Sequence, residues 1–216
     1  MSDIILYDYW RSSASYRVRI ALNLKNIPYQ AHSVDLLSTE QISKYREQNP
    51  QGYVPALVID GSFLTQSLSI IAYLDETRPD ITLLPDGATA RQRVRAMAHI
   101  IAMDIHPVCN LNVARHAVKK MNGGDEEREA WMQHFILKGL EPLEELITDT
   151  GPGDFCYGNQ PSLADICLIP QLYNANRWDA DFSHLKRITA VSEKCAELEA
   201  FQMAYPETVR AHSDPA

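Results

Sequence analysis

The chain has 216 residues, 45% of them hydrophobic, with 20 Lys and Arg against 28 Asp and Glu and a formal charge of −8. That is enough apolar material for one large or two small buried cores, and the acidic balance argues against nucleic acid as the main partner. The four cysteines, Cys109, Cys156, Cys167 and Cys195, form neither a C-x-x-C pair nor a Cys/His cluster, which argues against a zinc site and fits reduced, buried thiols of a cytoplasmic protein.

Met1-Ser2-Asp3 opens without the basic and apolar runs of a secretory leader, and no apolar stretch reaches the roughly 20 residues of a membrane span. Ile4 to Tyr9 reads as a strand. Ser13 to Lys25 reads as a helix with Val18, Ala21, Leu22 and Lys25 on one side. Tyr29 to Val34 is a second strand, and the polar stretch Thr39 to Gln48 is a helix stopped by Asn49-Pro50. Pro55 to Ile59 is a strand, and Asp60-Gly61 turns it into Ser62-Phe63-Leu64-Thr65. Gln66 to Thr77 is a helix with Leu68, Ile71, Ala72 and Leu74 apolar. The order β-α-β-α-β-β-α defines an α+β or α/β domain over residues 1–80.

Pro85-Asp86-Gly87 marks the boundary, and residues 88–216 read as all-helical. Val94, Met97, Ala98, Ile101 and Ile105 follow three-and-four spacing, as do Ile136, Leu140, Leu143 and Ile147, with Gly123-Gly124-Asp125 between the two helices. Ser162-Leu163-Ala164-Asp165 is a capping-box pattern opening an apolar helix that Pro170 should kink unless neighbours absorb the lost bond. Ile188 to Tyr205 gives one or two final helices, and the tail from Ala211 should fray.

The chemistry-bearing residues gather at strand and helix junctions. Ser12, Ser13 and Ser15 stand where a strand meets a helix. Hydroxyls there either cap the orphan helix amides or join them in holding an anion such as a thiolate. The arginines Arg11, Arg17 and Arg19, the group Arg91, Arg93 and Arg95, and Arg115, Lys119 and Lys120 form local basic groups. Taken singly, each reads as part of a solvated helix face. Val54, before Pro55, is pushed extended, and Gln66-Ser67 at a helix start suits a carboxylate. Cys167, between Ile166 and Leu168, reads as core.

Specific segments carry a family resemblance. Ser12-Ser13-Ala14-Ser15-Tyr16-Arg17-Val18-Arg19-Ile20-Ala21-Leu22 resembles the signature of zeta-class glutathione transferases, and Asn49-Pro50-Gln51-Gly52-Tyr53-Val54-Pro55, Gln66-Ser67-Leu68-Ser69-Ile70-Ile71 and Leu163-Ala164-Asp165 extend the likeness along the whole chain. The resemblance implies a thioredoxin-like N-terminal domain that binds glutathione and an all-α C-terminal domain that completes the substrate site. It implies glutathione contacts along Ser12, Ser13, Ala14, Ser15, Tyr16 and Arg17, at Val54 with a cis Pro55, at Gln66 and Ser67, and at His106, Asn110 and Asn112. Ser12 is favoured over Ser13 for the sulfur, which leaves Ser15 a structural part, and Arg11 and Arg177 are the implied holders of substrate carboxylates.

The implied activity is isomerisation of maleylacetoacetate to fumarylacetoacetate by reversible addition of the glutathione thiolate. Maleylpyruvate isomerisation, conjugation of glutathione to electrophiles and a non-enzymatic adaptor role are the alternatives. A cytoplasmic homodimer is implied as well. Ala14 stands where the signature has cysteine, which puts side activities that need a protein thiol in doubt but not chemistry on a borrowed sulfur.

Overall fold

A computed structural model describes residues 4–36 and 38–213. The chain divides into two compact units, one reaching to Thr82 and joined by the segment from Leu198, the other spanning Leu83–Glu197. The C-terminal segment therefore packs with the first unit, where the sequence reading had grouped it with the helical domain.

The first unit contains β1 (Ile5–Asp8), α1 (Ser13–Leu24), β2 (Gln30–Ser33), α2 (Thr39–Gln48), β3 (Ala56–Ile59), β4 (Ser62–Thr65) and α3 (Ser67–Thr77). Sheet order is β2-β1-β3-β4, with β1 parallel to β2 and antiparallel to β3, and β3 antiparallel to β4. A parallel pair needs a crossover, which α1 supplies, while Asp60 and Gly61, both at positive φ (52° and 72°), close the β3–β4 hairpin. This is the expected thioredoxin-like arrangement.

Strand alternation sorts β1 into two faces. Leu6 and Asp8 are buried on one. On the other, the Tyr7 ring lies 5.6 Å from those of Tyr45 and Phe63, beside a cluster of Val34, Tyr45, Val54 and Ala56. Helix α1 is buried without interruption from Ser15 to Leu22. It is covered by α3 and by α10 (Glu199–Ala204), which is followed by α11 (Pro206–Ser213). The Lys25 ammonium, just past the end of α1, is buried against Asp75 (3.0 Å) and the carbonyls of Arg78 and Ile81. The stretch read as one or two final helices, Ile188 to Tyr205, holds two, and α11 follows it. Residues 211–213 complete α11, and the remainder of the tail lies outside the described residues.

The second unit is α4 (Ala88–His99), a π-helical stretch (Ile100–Ile105), α5 (His106–Val108), α6 (Leu111–Lys120), α7 (Asp125–Thr148), α8 (Leu163–Arg177) and α9 (Lys186–Ala196). The long helix through Ile105 is widened at its end. Pro107 has no N–H and its ring would strike the carbonyl four residues back. The wider turn accommodates it, with the His106 N–H bonding the Ile101 carbonyl five residues back. Gly139 faces this turn, and a Cβ there would overlap Cγ1 and Cδ1 of Ile105. Ser162 caps α8 together with Asp165, and the helix continues through Pro170. Among the described residues no helix is long and apolar enough to cross a membrane.

Candidate active site

The mouth of α1 is built by a turn and a cap. The Ser12 N–H donates to the Tyr9 carbonyl at 2.8 Å, closing a turn at the end of β1. Ser12 then takes extended dihedrals (φ −71°, ψ 119°), and its Oγ accepts from the Ser15 N–H at 3.2 Å. Ser12 is therefore the N-cap. An accepted bond occupies a lone pair and leaves the hydroxyl proton to be donated, and polarisation by the amide strengthens that donation. Capping and holding an anion are compatible at this one hydroxyl.

Of the other residues implied on this segment, Ser13 and Ala14 keep partial exposure, whereas Ser15, Tyr16 and Arg17 are buried. The last three lie in the stretch of α1 covered by α3 and α10. Arg17 and Arg19 are 2% and 0% exposed, so the reading of them as solvated helix faces is corrected. Buried guanidinium groups must have their donors directed. Arg17 Nη1 donates to Ser67 Oγ at 3.4 Å, and Arg19 pairs with Asp8 at 2.8 Å.

Two further candidate edges belong to this unit. The Val54–Pro55 peptide is cis. Among the described residues no hydrogen bond engages the Val54 backbone, while the neighbouring Tyr53 carbonyl is held by Tyr45 Oη (3.0 Å) and Asn49 Nδ2 (2.7 Å). A fixed extended residue with an unpaired edge can take an added peptide strand. At the start of α3, Gln66 sits at φ 68°, ψ 112° and gives no side-chain cap. Its Nε2 donates instead to Gln51 Oε1 at 2.7 Å. Uncapped first-turn amides, the Ser67 hydroxyl and the buried Arg17 cation make this end of α3 receptive to a carboxylate. Arg11 is half-buried, with Nη2 donating to Tyr9 Oη at 3.3 Å and its guanidinium 5.1 Å from the Trp10 ring centre.

The protein's own thiols are not candidate nucleophiles. All four are buried and outside any disulfide. Burial pushes Cys109 up to about 12 and raises Cys156 and Cys195 as well, so these three are not ionised near neutrality. No group of three His, Cys, Asp or Glu among the described residues could hold a metal.

The remaining implied residues belong to the second unit. His106 opens α5 and is half-buried. Asn110 caps α6 by accepting from the Asn112 N–H at 2.9 Å, while Asn112 is exposed. Arg177 ends α8 in an exposed position, 6.0 Å from the Trp178 ring centre, which Arg128 also approaches at 5.6 Å. The sequence reading missed Asp8, Trp10 and Gln51. A signal existed for Asp8, since an arginine at position 19 amid Val18, Ile20, Ala21 and Leu22 requires a buried partner.

Residues 6–82 match the family model of the glutathione S-transferase N-terminal domain, and residues 125–207 match that of the C-terminal domain. The chain belongs to the glutathione transferase family. A maleylacetoacetate isomerase of Rhizobium meliloti is 49% identical over 210 residues, covering 97% of this chain and 99% of that protein. Among solved glutathione transferase structures, a bacterial zeta-class maleyl pyruvate isomerase in its holo form superposes with a TM-score of 0.90 at 39% identity, over 94% of this chain and 97% of that one. A maleylacetoacetate isomerase of Methylobacterium extorquens with bound malonate and glutathione gives 0.89 at 36%, over 94% and 97%.

Proposed function

We propose that this glutathione transferase is a glutathione-dependent cis–trans isomerase acting on maleylacetoacetate. The observation that carries the reading is Ser12: its hydroxyl caps α1 with an accepted bond and keeps a proton for an anion, at the positive end of a helix. Bound glutathione supplies a thiolate that adds to the cis double bond and, after rotation about the resulting single bond, leaves again, so that glutathione is regenerated.

The chain's residues divide the remaining work. Ser12, with the α1 dipole and Ser13 beside it, stabilises the ionised sulfur, each unit of lowered thiol pKa being worth about 1.4 kcal/mol. The Val54 backbone receives the peptide part as an added strand. Gln66, Ser67 and the first turn of α3, backed by Arg17, receive the γ-glutamyl end. Arg11 and Arg177 hold substrate carboxylates, where a planar guanidinium gives a fork of two bonds. His106, Asn110 and Asn112 are the remaining proposed polar contacts to glutathione. The buried thiols, outside any disulfide, support a cytoplasmic setting, and the family resemblance supports a homodimer.

Purified protein mixed with glutathione and maleylacetoacetate should consume the cis isomer only when glutathione is present; no such dependence ends the proposal. Ser12→Ala should lower kcat/KM by about a hundredfold, the cost of losing one preorganised donor to a developing anion, and should raise the thiol pKa of bound glutathione. Unchanged kinetics would transfer the role to Ser13. The likeness to a maleyl pyruvate isomerase favours one second reading, maleylpyruvate as substrate, and a side-by-side comparison of kcat/KM separates the two.

A further inference from the structure

The turn that presents Ser12 is held from behind by one side chain. The Arg19 side chain has no exposed surface. Its Nη1 donates to both carboxylate oxygens of Asp8 at 2.8 Å. Nη2 donates to the Trp10 carbonyl at 2.9 Å, and Nε donates to the Ala204 carbonyl at 3.0 Å. The guanidinium also lies 5.3 Å from the Tyr16 ring centre. Among the described residues Asp8 is the carboxylate paired with it. The phenol of Tyr29, which feels both charges, is pushed up to about 12 by burial and stays neutral.

The two carbonyl bonds therefore do something other than neutralise charge. Together with the Asp8 pair they join three pieces of chain: the end of β1, the turn before α1 and the end of α10, the last lying 185 residues from Arg19 in sequence. A guanidinium is planar and its N–H directions are fixed, so three acceptors bound to it are fixed relative to one another. The Trp10 carbonyl lies inside the turn whose closing bond is the Ser12 N–H to Tyr9. Anchoring one carbonyl and closing the turn leave Ser12 little freedom. The Trp10 ring is approached by Arg11 at 5.1 Å and by Arg210 of α11 at 5.0 Å. Asn23 Nδ2 donates to the Ala200 carbonyl at 3.0 Å, a second tie from α1 to the same C-terminal segment.

We infer that Arg19 is a positioning residue for catalysis, coupling the C-terminal segment to the turn that aims the Ser12 hydroxyl at the glutathione sulfur. This rests on the role given to Ser12 above. Arg19 touches neither ligand; it acts through Trp10 and Ser12. Misplacement of a reacting group by a fraction of an ångström is costly, so a loosened turn should show in chemistry before it shows in binding.

The experiment compares wild type, Arg19→Lys, Ser12→Ala and the double variant. Lysine keeps a cation facing Asp8 but cannot serve Trp10 and Ala204 in one plane. The readouts are a pH titration of the ultraviolet absorbance of the bound glutathione thiolate, kcat and KM for isomerisation, and the Tm. Arg19→Lys should raise the thiol pKa by about half a unit to one unit, and lower kcat about three- to tenfold with KM for glutathione within about twofold. In the Ser12→Ala background Arg19→Lys should add no further shift in thiol pKa, since both act through one hydroxyl.

A thiol pKa that stays at the wild-type value while Tm falls would reduce Arg19 to a structural part, and additive shifts in the double variant would overturn the coupling. Ser12→Ala without effect on the thiol pKa overturns the role of Ser12, and the inference with it. Ser12→Ala with an effect beside Arg19→Lys without one overturns the inference alone. Should Arg19→Lys not fold, Phe201→Leu, a buried residue of α10, slackens the C-terminal segment while leaving every group around Arg19 in place. It should move the thiol pKa in the same direction, and a pKa fixed at the wild-type value there overturns the coupling.

Discussion

Gln66 places strain and a proposed binding role on one residue, and a pair of substitutions separates them. Its dihedrals, φ 68° and ψ 112°, lie outside the regions open to a residue with a Cβ. Such a conformation costs about 1–3 kcal/mol and persists where the surroundings impose it. Alanine keeps the Cβ and hence the strain; glycine removes it. Both lose the 2.7 Å bond to Gln51, which is exposed, and both lose the side-chain amide proposed above to meet glutathione. The difference between the variants therefore isolates the backbone. Glycine recovers the strain but loses about 0.4–1 kcal/mol to its freer unfolded chain, leaving roughly 1 kcal/mol in its favour. For a chain of this size that is about 2–4 °C in Tm.

Thermal unfolding should place Gln66→Gly above Gln66→Ala by that margin, while titration with glutathione should show both weakened by about tenfold relative to wild type. Equal Tm values would show that the dihedrals carry no strain. Wild-type affinity in the alanine variant would show that the side chain does not bind the ligand.

Two structural predictions concern the second unit. Asp165 is wholly buried and accepts from the N–H groups of Cys156 and Ser162 and from Ser162 Oγ, each at 2.8 Å. Asp165→Ala orphans two buried amides and the cap, so urea denaturation should show a loss of about 3–5 kcal/mol, and a loss near 1 kcal/mol would refute this account. Burial outweighs the donated bonds and holds the Asp165 carboxyl above its usual 3.8. The native state then binds the proton more readily than the unfolded chain, and the stability this gives is present below 3.8 and lost as pH rises through the folded midpoint. The gap between wild type and variant should narrow over that window; a gap that widens with pH would contradict the direction. At Gly139, alanine would press its methyl into the stiff, buried Ile105 side chain. Gly139→Ala should cost about 1–3 kcal/mol, and Ile105→Ala in the same chain should cost less than it does alone; additive losses would place the strain elsewhere.

The local elements were legible because their causes are local. Ser12 before an apolar-periodic run, Asp60-Gly61 between two alternating segments, and Ser162 three residues before Asp165 each state a cap or a turn within a few residues. The proposed glutathione end of the site is drawn from the sequence for the same reason, since a hydroxyl at a helix mouth, a residue before proline and a helix start are sequence-adjacent features. The π-helical turn was not, although Pro107 causes it, because a proline breaks or widens a helix according to what packs beside it, here Gly139 on α7.

The interior of the first unit was decided by tertiary structure. Periodicity gave α1 a single apolar side, but α10 returns from the far end of the chain and covers another, so that Arg17 and Arg19 become interior residues. A charged side chain reads as solvated wherever its partner is distant in sequence. Asp8 and the Ala204 carbonyl become its partners only once sheet, helix and C-terminal segment are assembled, because desolvation and the hydrogen bonds that offset it depend on position in space rather than on spacing along the chain.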